Sequence, residues 1–315
     1  MIPHTLRFAQ CTPGSWFMAA LLAIASLGAH AAEVRDYRPV FQECRQAGGP
    51  PRLAIRRMTV DGTATLLTVN PATLATQLER EGDWSCADTD DARQAGTRYI
   101  RAVHDTGGAS SPVIVNGGLV HGATGAGAFI TGDLCPSRLP LDRPFLEALQ
   151  PVQTPLPVAL SISGTWLTHH MADFAWLKAR ERAGLLAITW VDHSYDHPFV
   201  PGRALADNFL LMPGVDIQAE ILDTERLLIA NGETPSVFFR FPGLVSNPAL
   251  MLAMRDDHLI VLGADSWLAK TGRAKPGGVI LVHLNGNEPA GLKIFAYLLA
   301  AGKLPQPFRP IGDAP

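Results

Sequence analysis

Residues 193–198 read His-Ser-Tyr-Asp-His-Pro. Two imidazoles four residues apart, in a helical turn or a tight loop, can be aimed at one point, which is what a divalent cation asks of nitrogen donors. His193 and His197 are therefore candidate metal ligands, against the ordinary alternative of two unrelated histidines. Other polar residues stand at or just beyond the ends of short apolar runs. Asp133 follows Ala128-Phe-Ile-Thr-Gly, Arg240 follows Val237-Phe-Phe, Asp265 comes shortly after Leu259-Ile-Val-Leu, and His283 follows Val279-Ile-Leu-Val. Polar residues at the ends of several apolar runs form a constellation that chance alone explains poorly.

Those runs predict the elements that position the chemistry. From about residue 125, strands are expected at 128–133, 158–163, 185–191, 237–240, 259–262 and 279–283. They alternate with helices at 142–149, 171–183, 216–230, 248–257 and 290–301. Alternation implies a parallel sheet with helices outside, and the nearly continuous apolar strands imply cover on both faces. In barrels of this kind the chemistry sits at the carboxyl rim of the strands, where these polar residues fall.

The preceding part differs. Strands at 52–60 and 63–69 flank Asp61-Gly62, a hairpin turn. Asn70-Pro71 predicts a helix over 72–79, and the polar stretch 85–92 predicts a loop. The expected organisation is a leader at 1–32, a small α+β appendage at 33–122 and the barrel at 123–315.

Arg7, the apolar run 16–27 and Ala29-His30-Ala31 have the order of a secretory signal with a small-x-small cleavage site. The run is too short to cross a hydrocarbon layer of about 30 Å as a helix. The expectation is export to the periplasm or medium, with no integral membrane segment after cleavage. With a net charge of −3 and no basic run, nothing points to a phosphate-tracking surface, so no nucleic acid partner is expected. Cys11 leaves with the leader. Cys44 and Cys86 can pair in an oxidising compartment, although sequence alone does not fix that geometry.

The order of five short motifs from about Ala128 to Pro310 resembles the polysaccharide deacetylase family, carbohydrate esterase family four, with its NodB-type homology domain. The family's Thr-Phe-Asp-Asp-Gly-Pro is matched by Thr131-Gly132-Asp133-Leu134-Cys135-Pro136. Its His-Ser/Thr-x-x-His-Pro is intact as His193 to Pro198. Arg-x-Pro-Tyr becomes Arg240-Phe241-Pro242-Gly243, the aspartate before tryptophan is Asp265-Ser266-Trp267, and Leu-x-His is Leu281-Val282-His283.

The resemblance implies a distorted (β/α) barrel and metal-dependent removal of acetyl groups from amino-sugar polymers. It implies roles residue by residue. His193 and His197 hold a divalent metal, zinc with cobalt or nickel as alternatives. Asp133 is the base, paired with Arg240. His283 is the acid, held by Asp265. The Gly243 N–H meets the oxyanion, and Trp267 and Leu281 line the acetyl pocket. The partner implied is an acetylated glycan.

Two departures stand out. Leu134 replaces a metal-binding aspartate and cannot itself bind, so Asp133 or Asp142 is the expected third ligand, with Cys135 as a further thiolate candidate. Gly243 replaces a tyrosine. The alternative function is a glycan-binding or interaction protein whose metal site has degenerated.

Overall fold

The computed structural model describes residues 31–105, 107 and 111–315. The expected leader falls almost wholly outside them. Strands β1 (Val34–Arg45), β2 (Arg52–Val60), β3 (Thr63–Val69), β4 (Thr76–Arg80) and β5 (Ser85–Asp88) form an antiparallel sheet in the order β4-β3-β2-β1-β5. The expected hairpin is present: Val60 lies opposite Thr63, and Asp61 and Gly62 take φ of 47° and 79°. Positive φ at both central residues suits the right-handed twist of the flanking strands.

The helix expected at 72–79 does not form. Asn70 Oδ1 accepts from the N–H groups of Ala72 and Thr73, but only one turn closes, ending at Leu74 with φ of 65°. The chain then pairs with β3, Leu78 opposite Leu67, so sheet pairing overrides the cap signal. The loop expected at 85–92 instead holds β5 and helix α1 (Asp91–Gln94). Cys86 lies directly opposite Cys44 and the two form a disulfide.

After α2 (Arg98–Val103), strand β6 (Ile114–Val115) leads into the second architecture. Strands β7 (Phe129–Leu134), β8 (Leu156–Ile162), β9 (Leu186–Asp192), β10 (Phe238–Phe239), β12 (Ile260–Val261), β13 (Ser266–Trp267) and β14 (Val279–His283) form one parallel sheet. Their order is β12-β10-β9-β8-β7-β14-β13, while β11 (Val245–Ser246) pairs with β6. Helices α3 (Arg143–Leu149), α4 (Gly164–His169), α5 (Met171–Arg182), α6 (Ile217–Ala230), α7 (Pro248–Asp256), α8 (Leu268–Thr271) and α9 (Pro289–Ala300) intervene.

Residues 119–121 run between the two sheet edges. Leu119 bridges Leu262, His121 bridges Gly278, and the Val120 carbonyl accepts from the N–H groups of both Asp265 and Val279. The result is a distorted (β/α) barrel.

Strand periodicity sorts side chains to two faces. Ile130 and Leu134 of β7, Val158, Leu160 and Ile162 of β8, and Ile280 and Val282 of β14 pack in a core with helix residues such as Leu146, Leu177 and Phe295. The alternate residues Phe129, Ala159, Val191, Val279 and Leu281 join a second core that is continuous with Leu53, Ile55, Met58 and Leu67 of the antiparallel sheet.

Arg56 on β2 joins the two architectures. Its guanidinium, fully buried, makes a two-pronged pair with Glu225 of α6 at 2.7 and 3.0 Å and donates to the Asp257 carbonyl, while the Tyr37 hydroxyl donates to the same carboxylate. Removing one partner strands a buried charge. Arg56→Met is expected to lower unfolding free energy by about 3–5 kcal/mol, and replacing Glu225 with leucine in the same chain to restore most of it. Urea denaturation of the three proteins measures both effects.

Candidate metal and hydrolytic site

Three strand ends deliver the central groups to the barrel interior. On β7, residues two apart share a face, so Asp133 and Cys135 both point inward while Leu134, between them, is buried in the helix-side core. On β14, His283 lies beside Asp133 in register. Just past β9, His193 donates from Nδ1 to the Arg240 carbonyl at 2.7 Å. A carbonyl only accepts, so this bond puts the proton on Nδ1 and leaves Nε2 facing the cavity as a lone-pair donor.

The histidine motif is a tight loop rather than a helical turn. Ser194 and His197 both have positive φ, at 64° and 47°. The loop is pinned by its backbone: the Ser194 N–H donates to Asp192, the Asp196 N–H to Glu220, and the carbonyls of Ser194 and Tyr195 accept from Gly164 and Thr165. Uncommon dihedrals held this way are typical of residues fixed for function.

Cys135, His193 and His197 bring one donor atom each within 4.8 Å of one another. Cys135 Sγ is 3.5 Å from His193 Nε2, the sulfur–nitrogen edge of a tetrahedron built from bonds of about 2.3 and 2.05 Å. His197 Nε2 is buried and, among the described residues, has no hydrogen-bond partner. A buried orphan nitrogen beside a thiol and a second imidazole suits a thiophilic divalent cation.

Asp142, one expected third ligand, is elsewhere: it stands at the start of α3 and its carboxylate accepts from the Gly286 N–H. Asp133, the other, faces the same space. One oxygen is 2.6 Å from Arg240 Nη1 and the other 3.8 Å from His193 Nε2, so the guanidinium already claims part of it. Cys135 is the donor that joins the two histidines.

Electrostatics follow from this crowding. Burial pushes the Asp133 carboxyl up, but Arg240, His193 and His283 outweigh it and hold it at about 2. Burial also opposes thiolate formation at Cys135, and the adjacent His197 and His193 reverse that, bringing it well below the ordinary thiol range. Burial lowers His283, while contacts with Cys135 and Glu288 and the charge of Asp133 raise it to about 10.

Arg240 is fully buried and every prong is used, on Thr131, Asp133 and the carbonyls of Leu262 and Gly263. Asp265 does not meet His283. Its carboxylate accepts from His121 at 2.9 Å, Lys275 at 3.3 Å and the Ser266 hydroxyl. His121 reaches it because the 119–121 segment passes directly alongside. Glu288, just before α9, takes His283 Nδ1 instead, at 3.1 Å.

A cavity of about 480 Å³ opens over these groups. Its walls include Asp133, Cys135, His193, His197 and His283, together with the expected Gly243, Trp267 and Leu281. Gly243 has φ of 62°, and a Cβ there would lie 2.4 Å from the Phe209 ring. Phe209 thus fills the space above residue 243. It is itself held at φ of 53° by Asn208, whose buried side chain bonds both Phe209 and Val200. Phe199, more than half exposed, stacks on Phe209 with centroids 5.1 Å apart.

No family model matches the chain. Among solved structures it is similar to a family 4 carbohydrate esterase from Bacillus anthracis, at 17% identity over 63% of this chain and 87% of that one, TM-score 0.46. It is also similar to the family 4 esterase PdaA of Bacillus subtilis, at 14% identity over 79% and 93%, TM-score 0.44. A family 4 pseudoenzyme from Bacillus anthracis gives 15% identity over 56% and 62%, TM-score 0.37. The likeness is to family 4 carbohydrate esterases.

Sequence reasoning missed Glu288 and Phe209. Neither belongs to a recognised motif; the only signal for Glu288 is an acid five residues past His283, immediately before the proline that starts α9. Cys135, named from the sequence only after Asp133 and Asp142, is the candidate whose donor atom lies with those of the two histidines.

Gly243→Ala places a methyl group against the Phe209 ring at a left-handed φ. It is expected to destabilise the protein by about 1–3 kcal/mol, and Phe209→Ala in the same chain to relieve the steric part and leave the backbone part. Thermal melts of the single and double variants separate the two.

Proposed function

We propose that the protein is a metal-dependent hydrolase that removes N-acetyl groups from an amino-sugar polymer or glycan, with Cys135, His193 and His197 as metal ligands. The observation that carries this reading is the convergence of those three donors with Asp133 and His283 on one cavity. The thiolate favours zinc over hard, oxygen-seeking cations, and cobalt or nickel suits the same donors. When bound, the metal acidifies a water and polarises the carbonyl.

The chain's own groups do the rest. Asp133, kept ionised by Arg240, accepts a proton from the attacking water, a contribution on the order of a hundred- to ten-thousand-fold. The Gly243 N–H, on the cavity wall, serves the developing oxyanion. His283 presents Nε2 to the departing nitrogen, because Nδ1 is engaged by Glu288. The water oxygen bonds to the carbonyl carbon, the carbon–nitrogen bond breaks, and acetate and a protonated amine leave. Trp267 and Leu281 offer apolar walls to the methyl group.

Saccharide as the substrate class is supported at the rim. A cavity of about 480 Å³ exceeds what an acetyl group fills. Phe199, pinned by Phe209 beneath it, offers a flat apolar face of the kind that stacks on the C–H face of a sugar ring. The Cys44–Cys86 disulfide fits an oxidising compartment and hence export, which makes envelope glycans the reachable substrate. In this reading residues 33–122 are a supporting appendage and 123–315 carry the chemistry.

The second reading, a glycan-binding protein without turnover, is favoured by Leu134 and Gly243, which depart from the family pattern. Purified protein is expected to hold about one zinc per chain, lost in His193→Ala and Cys135→Ser, and to release acetate from acetylated chito-oligosaccharides. Asp133→Asn is expected to keep the zinc and lose about a hundred- to ten-thousand-fold in kcat. Zinc without acetate release decides for the binder; no zinc at all overturns the metal site.

A further inference from the structure

We propose that Glu288 is the positioning residue of the acid, holding the His283 ring so that its Nε2 faces the cavity. The proposal rests on the hydrolytic reading above. It departs from the sequence expectation, which gives this task to Asp265.

Geometry assigns the role. Glu288 Oε2 accepts from His283 Nδ1 at 3.1 Å and from Trp267 Nε1 at 2.7 Å. An ionised carboxylate only accepts, so the proton of that ring contact sits on Nδ1 and the free lone pair or second proton sits on Nε2, toward Asp133 and Cys135. The indole fixes the carboxylate from the other side, and Trp267 and His283 both line the cavity. Glu288 occupies the N-cap position of α9, yet its side chain makes no capping hydrogen bond to that helix. A plain helix-start role therefore does not account for its orientation. Asp265 is already committed to His121, Lys275 and Ser266.

General-acid help matters most when the leaving group is a poor one. An amine must be protonated as the carbon–nitrogen bond breaks, whereas a nitrophenolate leaves without a proton. Glu288→Ala is expected to reduce kcat on an acetylated chito-oligosaccharide by about a hundredfold with little change in KM. The ratio of amide to nitrophenyl acetate turnover is expected to fall by nearly the same factor. Glu288→Gln keeps an oxygen that can accept both N–H groups, and is expected to recover about tenfold of the loss. In a His283→Ala background, Glu288→Ala is expected to cost nothing further.

An unchanged amide-to-ester ratio, or full additivity with His283→Ala, overturns the proposal. Should the wild-type protein release no acetate from any glycan, the hydrolytic reading falls by itself. Glu288 is then judged by nitrogen-15 spectra of the His283 ring: a hydrogen-bonded, exchange-protected Nδ1–H is expected in the wild type and lost in Glu288→Ala, and an identical Nδ1–H signal in both overturns the positioning role.

Discussion

Arg240 carries a full guanidinium charge with no exposed surface, and the site is arranged around what that demands. A buried cation is tolerated only when its charge is paired and its donors are satisfied. Asp133 supplies the charge, Thr131 and the carbonyls of Leu262 and Gly263 the remaining acceptors. The Arg240 carbonyl in turn accepts from His193. One residue thereby orients the carboxylate through its side chain and the cavity-facing imidazole of His193 through its backbone, and it ties β7, β10 and the end of β12 together. Register between these strands is therefore coupled to the geometry of the chemistry.

Much of this was legible in the sequence because strand and helix periods are local signals. The barrel strands and the long helices from 142 onward were readable from apolar runs and caps, and polar residues at the run ends marked the rim. The first ninety residues after the leader read less well. Asn70 sent a true cap signal, but pairing of Leu78 with Leu67 won, and opposition of Cys44 and Cys86 turned a polar stretch into a strand. Those outcomes depend on partners distant in sequence. The same limit explains Asp265, whose fate was set by His121 more than a hundred residues earlier.

Leu134 and Gly243 depart from the pattern the sequence resembles, whereas Asp265 keeps it and faces other partners. Leu134 lies on the outward face of β7, where a leucine completes the helix-side core, and the inward Cys135 next to it supplies a donor. Gly243 has no ring, and Phe209 enters the space from a separate loop. Asp265 turns away, and Glu288 reaches His283 from the start of α9. At each place a different residue stands beside the site: the adjacent Cys135, Phe209 from a separate loop, and Glu288 from the start of α9.

The replacements also bear on whether the cavity is built for turnover. In the hydrolytic reading proposed above, the buried carboxylate that Arg240 holds below its ordinary range serves as the base, while the same pair satisfies the charge of the arginine. The buried His197 nitrogen, without a hydrogen-bond partner among the described residues, would be satisfied by the cation of that reading. Aromatic residues at the rim, by contrast, serve binding equally well. The aromatic mouth thus fits either reading, and the paired carboxylate and unpartnered nitrogen at the floor are what the hydrolytic one would use.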